Sequence, residues 1–302
     1  RFWAVTGALM AFGGLLFISF TPPHHSGRLA SFLGYPIALG SSPAAMMAEI
    51  YGKATGLCKG LGGSMHLTDV AHGFLGTSGI VGQSIPQATG VALAYQIQGQ
   101  DRVVLCFFGD GATKQGAFHE ALNMASLWKL PIVYILENNH YQALTRVAME
   151  DANAAAGEPL SVKARAYSMP GITVDGTDPL AVWQQVSQAV ERARRGEGPT
   201  LIEAVFHRLS AHGNIIAPPP VPLRFEEHEA VAVYKDPAEY EEAQQLDPLP
   251  RFRAWLLAAG VADAASLETD EAAARVEMDE AVRFALESPW PDPAEALRYV
   301  YA

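Results

Sequence analysis

Of the 302 residues only two are cysteine, Cys58 and Cys106, and they stand far apart with no CxxC pattern. This excludes a disulfide framework and a cysteine zinc site, and it suits a reducing compartment, so a cytoplasmic location is expected. Both thiols read as small buried hydrophobes. Charge is scarce too. Charged residues make up 18% of the chain, the formal net charge is −11, and Lys and Arg nowhere form a block. Nothing here matches the footprint of a phosphate backbone, so no nucleic-acid partner is expected. No G-x-G-x-x-G opens a helix after a strand, which argues against a dinucleotide-binding oxidoreductase. There is no internal repeat and no low-complexity segment.

What the chain does have is apolar residues, 49% of the total, enough core for one large domain or a domain with an appendage. From Phe2 to Phe20 only Thr6, Ser19 and three glycines interrupt them. That run approaches the ~18 residues a membrane span needs. Thr21-Pro22-Pro23-His24-His25 offers no small-residue cleavage site, however, and Gly13-Gly14 weakens a spanning helix. The segment is expected to be buried or covered by a partner rather than to anchor in a membrane. The expected organisation is an atypical apolar segment at 1–30, an α/β domain at 31–216, a Pro-rich loop and acidic linker at 217–249, and a helical tail at 250–302.

Val103–Phe108 is an unbroken apolar run of the kind buried in a parallel sheet. Glycines follow, then a stretch from Gly116 to Lys129 in which Ala117, Ala121, Met124 and Trp128 recur at helical spacing. Ile132–Leu136 reads as the next strand, which makes a βαβ unit. Further strands are expected at Ile172–Val174 and Leu201–Phe206, with an amphipathic helix Leu180–Arg195 between them that stops at Gly196. The fold class is α/β, a doubly wound and mostly parallel sheet. A helical tail is expected from Pro250 to Glu287, beyond the acidic stretch Glu226–Glu242.

Asp110 stands just past the carboxyl end of a buried strand, where open α/β sheets bind ligands. Gly109 and Gly111 let a ligand approach the backbone and offer N–H groups to phosphate oxygens, and the helix near Gly116 adds its positive end. Magnesium takes about six oxygens, commonly one or two carboxylates plus phosphate and water. Asn138-Asn139 closes the very next strand, so an amide oxygen and a carbonyl just after it reach the same sheet edge as Asp110. GDG alone is a common turn and Asn-Asn a common loop pair. Both in one continuous strand–helix–strand unit are far more specific.

These residues carry a family resemblance. Gly109–Gly116, Glu120-Ala121, Asn123–Ala125, Leu127–Pro131 and Glu137–Asn139 are similar to the α subunit of the thiamine-dependent 2-oxo acid dehydrogenases (pyruvate, branched-chain 2-oxo acid and acetoin). The likeness extends back through Gly62–His66 and Gly79–Gln83 and forward through Pro170–Gly176, Glu191–Pro199, Asp247–Phe252 and Pro289–Ala302. The resemblance implies thiamine diphosphate and Mg²⁺ as cofactors. By position, Asp110 and Asn139 are implied to hold the metal by side chain and Tyr141 by its carbonyl. Gly109, Gly111 and Ala112 are implied at the diphosphate, and the backbone of Gly79 and Val81 at the aminopyrimidine end. Gly79 is expected to open an apolar helical run through Ala88–Ala94. His212 in Arg208–His212 falls on a family histidine that contacts the cofactor and assists acyl transfer.

Ser210 replaces a first loop histidine, and three further departures stand out. Ala30-Ser31 stands where the family has a Tyr-Arg pair that grips the diphosphate, so the arginine is missing or Arg28 replaces it from a shifted position. Gly213 replaces a regulatory serine, and the Pro-rich stretch after Asn214 replaces an Asp-Pro loop. The activating glutamate of the family lies in a β subunit, so the resemblance implies a site completed by a β chain, in an assembly of two α and two β chains. The reaction implied is oxidative decarboxylation of a 2-oxo acid, with acyl transfer to the lipoamide of an acyltransferase partner. Cleavage of acetoin is the near alternative. A cofactor-binding homologue without activity is the distant one.

Overall fold

The computed structural model describes residues 34–208 and 236–298. In chain order the elements are α1 (Pro43–Ile50), α2 (Ser84–Ile97), β1 (Val104–Gly109), α3 (Gly116–Leu127), β2 (Ile132–Asn138), a small hairpin of β3 (Tyr141–Gln142) and β4 (Thr145–Arg146), α4 (Ala152–Ala155), β5 (Gly171–Asp175), α5 (Pro179–Arg194), β6 (Thr200–Val205), α6 (Pro237–Gln245), α7 (Pro248–Ala258) and α8 (Ala264–Glu287). They fall into two compact units. Described residues 80–208 and 236–248 form a sheet unit, while 34–79 and 249–298 form a helical unit.

The sheet has the order β1-β2-β6-β5, with every neighbouring pair parallel. Its central strand β2 is packed on both faces. Ile132, Tyr134 and Leu136 lie in one core with Ile85, Phe118 and Leu122 of α2 and α3. Val133 and Ile135 lie in the other with Val182, Val186 and Ala189 of α5. This is the reason β2 reads as a continuous apolar run rather than an alternating one. Burying each such aliphatic side chain contributes about 1.5–3 kcal/mol, so the strand order is fixed from both sides. Helices on two faces of a parallel sheet make the fold doubly wound, as expected.

Strand order also sets the site. The chain moves from β1 to its neighbour β2, passes over the β6 position to the edge at β5 and then returns to β6, so the direction of winding reverses at β5. All four strands are parallel, so their carboxyl ends share one edge of the sheet, and that edge is where open α/β sheets bind ligands. α5 leads into β6 from a well-defined start: Pro179 occupies its first turn, and the Asp178 carboxylate accepts the N–H groups of Leu180 (2.9 Å) and Ala181 (3.2 Å).

The helical unit pairs α1 with α8 through Met46, Met47 and Ala48 against Met278, Ala281 and Ala285. Glu49 at the end of α1 is fully buried, and its carboxylate accepts the backbone N–H groups of Cys58, Gly60, Gly62 and Gly63 at 2.7–3.1 Å. The tail departs from a single run. It starts at Pro248 and is broken after Ala258, and α8 restarts under a reciprocal cap in which Asp263 and Ser266 each accept the other's backbone N–H. Part of the acidic linker is itself helical, as α6. No helix among the described residues is long and apolar enough to cross a membrane.

Candidate functional site

Asp110 follows β1 directly and opens a 3-10 turn, Asp110–Lys114, that separates the strand from α3. The positive end of α3 is therefore a turn away from Gly109 rather than adjacent to it. The Asp110 side chain is 2% exposed. Burial pushes its carboxyl above the usual carboxylate range. The charge of Lys114, the N–H groups of Gly111 and Asn139, and the charge of Arg208 all oppose that rise. A buried carboxylate in this position gains from a further positive charge.

β2 runs two residues longer than its apolar run, so Asn138 is still in the sheet and Asn139 is the first residue past it. The backbone N–H of Asn139 donates to Asp110 Oδ2 at 3.3 Å, which brings the two strand ends together. Asn138 and Asn139 act differently. Asn138 donates through Nδ2 to Glu203 (2.7 Å) and accepts the His140 N–H (3.0 Å), whereas Asn139 accepts the Tyr141 N–H at 3.1 Å. His140, between Asn139 and Tyr141, sits at φ +67°, in the left-handed region. Burial first, and then the neighbouring His207 ring 5.2 Å away, hold His140 below the usual imidazole range.

The β3–β4 hairpin then folds back over the turn after β1. Tyr141 is anchored at its far end, where its hydroxyl donates to Glu239 of α6 at 2.5 Å and Glu239 pairs with Arg146 at 2.7 Å. Arg208, just beyond β6, donates to the Ala143 carbonyl at 2.9 Å. The structure thus brings Gly109, Asp110, Gly111, Ala112, Asn139 and Tyr141 to one sheet edge.

The other expected residues are placed differently. Gly79 and Val81 do not open a helix, because α2 begins only at Ser84. Val81 is 60% exposed in an intervening turn, and the glycine has Met65 and His66 as its nearest neighbours. His212, Ser210, Gly213 and Ala30-Ser31 lie outside the described residues.

Three residues at the site were not singled out from sequence. Gln142 covers Gly111 closely enough that a Cβ there would meet its Cγ at 2.8 Å, so the glycine is required by this side chain as well as by any ligand. Gln142 Oε1 is buried and has no hydrogen-bond partner among the described residues. Such an acceptor costs about 1–3 kcal/mol until a donor or cation reaches it. Glu239 and Glu203 were missed because their partners lie far away in sequence. Glu203 did leave a signal, since it is one carboxylate inside an otherwise apolar strand.

The donor set is a carboxylate, an amide oxygen and main-chain carbonyls, all hard oxygens of the kind that hold Mg²⁺ and not Zn²⁺. Among the described residues no three His, Cys, Asp or Glu side chains converge on a possible metal position. With the orphaned Gln142 oxygen beside Gly111, the residues present fit a hard cation accompanied by phosphate oxygens.

Fold and site together define an α/β protein of the doubly wound class with its polar groups gathered at the carboxyl ends of β1 and β2. Residues 32–294 match the dehydrogenase E1 component family, and the chain belongs to that family. It is 42% identical over 268 residues to the subunit alpha of acetoin:2,6-dichlorophenolindophenol oxidoreductase from Bacillus subtilis, covering 89% of this chain and 75% of that one. It is 39% identical over 264 residues to the pyruvate dehydrogenase E1 component subunit alpha of Porphyra purpurea, covering 85% and 72%. It is also 37% identical over 278 residues to the chloroplastic pyruvate dehydrogenase E1 component subunit alpha-3 of rice, covering 89% and 61%.

Proposed function

We propose that the chain is the α subunit of the decarboxylating component of a 2-oxo acid dehydrogenase, and that it holds thiamine diphosphate and Mg²⁺ at the edge formed by β1 and β2. The observation that carries this reading is the meeting of buried Asp110 with Asn139 at adjacent strand ends. Asp110 and Asn139 would take the metal by side chain and Tyr141 by its carbonyl. Gly109, Gly111 and Ala112 line the diphosphate. When bound, thiamine diphosphate supplies an electron sink for cleaving the bond beside a ketone carbonyl.

This chain's own work is to bind and orient. Asp110 offers charge in a water-poor position, where electrostatic attraction is strong. Tyr141, tied down by Glu239, keeps its carbonyl from drifting. His212, which follows β6 in sequence, is assigned to acyl transfer. A β subunit would complete the site with the activating carboxylic acid, and a lipoyl-bearing acyltransferase would accept the acyl group. Gly79 and Val81 would meet the aminopyrimidine end.

Pyruvate or a branched-chain 2-oxo acid is the substrate of this reading. The likeness to the Bacillus subtilis protein supports a second one, in which acetoin is cleaved by the same machinery. Steady-state turnover of the α–β assembly with an artificial electron acceptor separates the two. Turnover of pyruvate or branched-chain acids at least tenfold above acetoin supports the first reading, and the reverse ranking replaces it with the second. Loss of cofactor binding in Asp110→Ala and Asn139→Ala, measured by calorimetry on the folded variants, tests the site itself.

A further inference from the structure

We propose that Glu203 and Asn138 form a positioning pair that sets the geometry of the cation-binding loop without touching the cation. The inference rests on the cation site assigned above. Glu203 lies within β6 at 1% exposure. Its carboxylate is satisfied by neutral donors: Oε1 accepts from Asn138 Nδ2 at 2.7 Å, and Oε2 accepts from the Ser161 N–H at 2.9 Å and the Thr173 hydroxyl at 3.2 Å. Keeping a charge at such a depth is costly even when it is well bonded. An apolar side chain would serve the strand better if packing were the whole requirement.

What the carboxylate does is orient an amide. A carboxylate only accepts, so Asn138 must turn its NH₂ toward Glu203 and its Oδ1 away. That oxygen accepts the His140 N–H at 3.0 Å and holds His140 at φ +67°. A left-handed conformation is unfavourable for a non-glycine residue, so it needs such support. The reversal it creates lies between the two groups that face the cation, the Asn139 side chain and the Tyr141 carbonyl. Asn139 Oδ1 and the Tyr141 N–H meet across it at 3.1 Å. The chain of contacts therefore runs from β6 through Asn138 and His140 to the spacing of the oxygen donors. Mg²⁺ demands near-ideal octahedral geometry at about 2.0–2.1 Å, while Ca²⁺ tolerates irregular sites at about 2.3–2.6 Å. Loosening this brace should harm Mg²⁺ binding more than Ca²⁺ binding.

The test uses the full chain purified with its β subunit and measures Mg²⁺ and Ca²⁺ affinity calorimetrically in the presence of thiamine diphosphate. Glu203→Gln and Asn138→Asp each break the pairing. Combining them restores it in reverse, with the new amide at position 203 donating to the new carboxylate at position 138. Each single variant should weaken Mg²⁺ binding about 10- to 100-fold, as losses of supporting groups around metal ligands commonly do. Ca²⁺ should weaken several-fold less, and the double variant should recover most of the Mg²⁺ affinity. A role confined to stability would lower the melting temperature of the cation-free protein and leave the Mg²⁺:Ca²⁺ ratio unchanged. An unchanged ratio in Glu203→Gln, or a double variant no better than the singles, overturns the proposal. If Glu203→Gln does not fold, Asn138→Ala carries the same ratio test, because it removes the amide and spares the other bonds of Glu203. Asp110→Ala distinguishes the two levels of the argument. If it leaves Mg²⁺ binding intact, the cation site itself falls. If it abolishes binding while Glu203→Gln does nothing, only the positioning pair falls.

Discussion

Asp110→Asn is the sharpest single perturbation, because it removes a charge and almost no volume. The Asn139 N–H can still be accepted, and Lys114 keeps its bond to the Asp110 carbonyl at 3.1 Å, since that bond is to the backbone. Burial disfavours the carboxylate in the cation-free protein, so the exchange should leave cation-free stability within about 1 kcal/mol of wild type. Cation binding should suffer far more. Losing a direct ligand should cost at least the roughly 100-fold seen at the upper end for supporting groups, and each power of ten is about 1.4 kcal/mol. A ligand at about 100 times its Kd stabilises a protein by about 2.7 kcal/mol, which for a chain of this size is a rise of roughly 4 °C. Thermal melts with and without Mg²⁺ and thiamine diphosphate should show that rise in wild type and almost none in Asp110→Asn. Calorimetric titration supplies the affinities. If the variant keeps the full ligand-dependent rise and an unchanged affinity, Asp110 is not a ligand and the site assignment fails.

Three further outcomes are expected. The purified chain alone should not turn over 2-oxo acids, and adding the cognate β chain should restore activity with an artificial acceptor; robust turnover by a homogeneous preparation of this chain refutes the divided site. His212→Ala should slow reductive acyl transfer to lipoamide by about 10²–10⁴-fold with little loss of cofactor affinity, and a change within about twofold in stopped-flow or coupled assays removes His212 from the chemistry. Burial works to raise the Asp151 carboxyl, but the hydrogen bond and charge of Lys163 (2.9 Å away), and then the N–H groups of Ala154 and Asn153, outweigh it and hold the group below the usual carboxylate range. With a depressed folded-state value, the stabilisation is present above the unfolded pKa of about 3.9 and is lost as pH falls through the folded value. Urea titrations from neutral to acid pH should show a shallower acid-side loss in Asp151→Asn than in wild type, and identical slopes would remove Asp151 from the acid response.

The parts of the fold legible in the sequence were those with a local period or punctuation. The apolar run of β1, the helical spacing of α3 and the stop at Gly196 located the βαβ unit and α5 to within a few residues. The meeting of Asp110 with Asn139 was legible because both follow buried strands directly, and the carboxyl ends of parallel neighbours share one edge. What escaped was carried by distant pairings. Nothing near Tyr141 announces Glu239, and nothing near Asn138 announces Glu203. Nor does any pattern within 34–79 show that Met46 and Met47 pack against Met278 and Ala281 far along the chain. Where α2 begins was misjudged because Gly79, just ahead of an apolar run, looks like a helix opening, whereas the chain makes a turn before Ser84.

The two-faced packing of β2 has a consequence for how this protein can vary over generations. Each residue from Ile132 to Asn138 is committed to one side of the sheet, and the donors follow without a spacer. A deletion of one codon anywhere in that stretch would exchange the two cores and pull Asn139 back by one strand step, about 3.3 Å. Structure and ligand site would be lost in the same event. Exposed positions on α3 such as Leu127 carry no such double commitment. Length changes should therefore be purged from β2 at least as strictly as substitutions at Asp110, although most of its residues never meet a ligand.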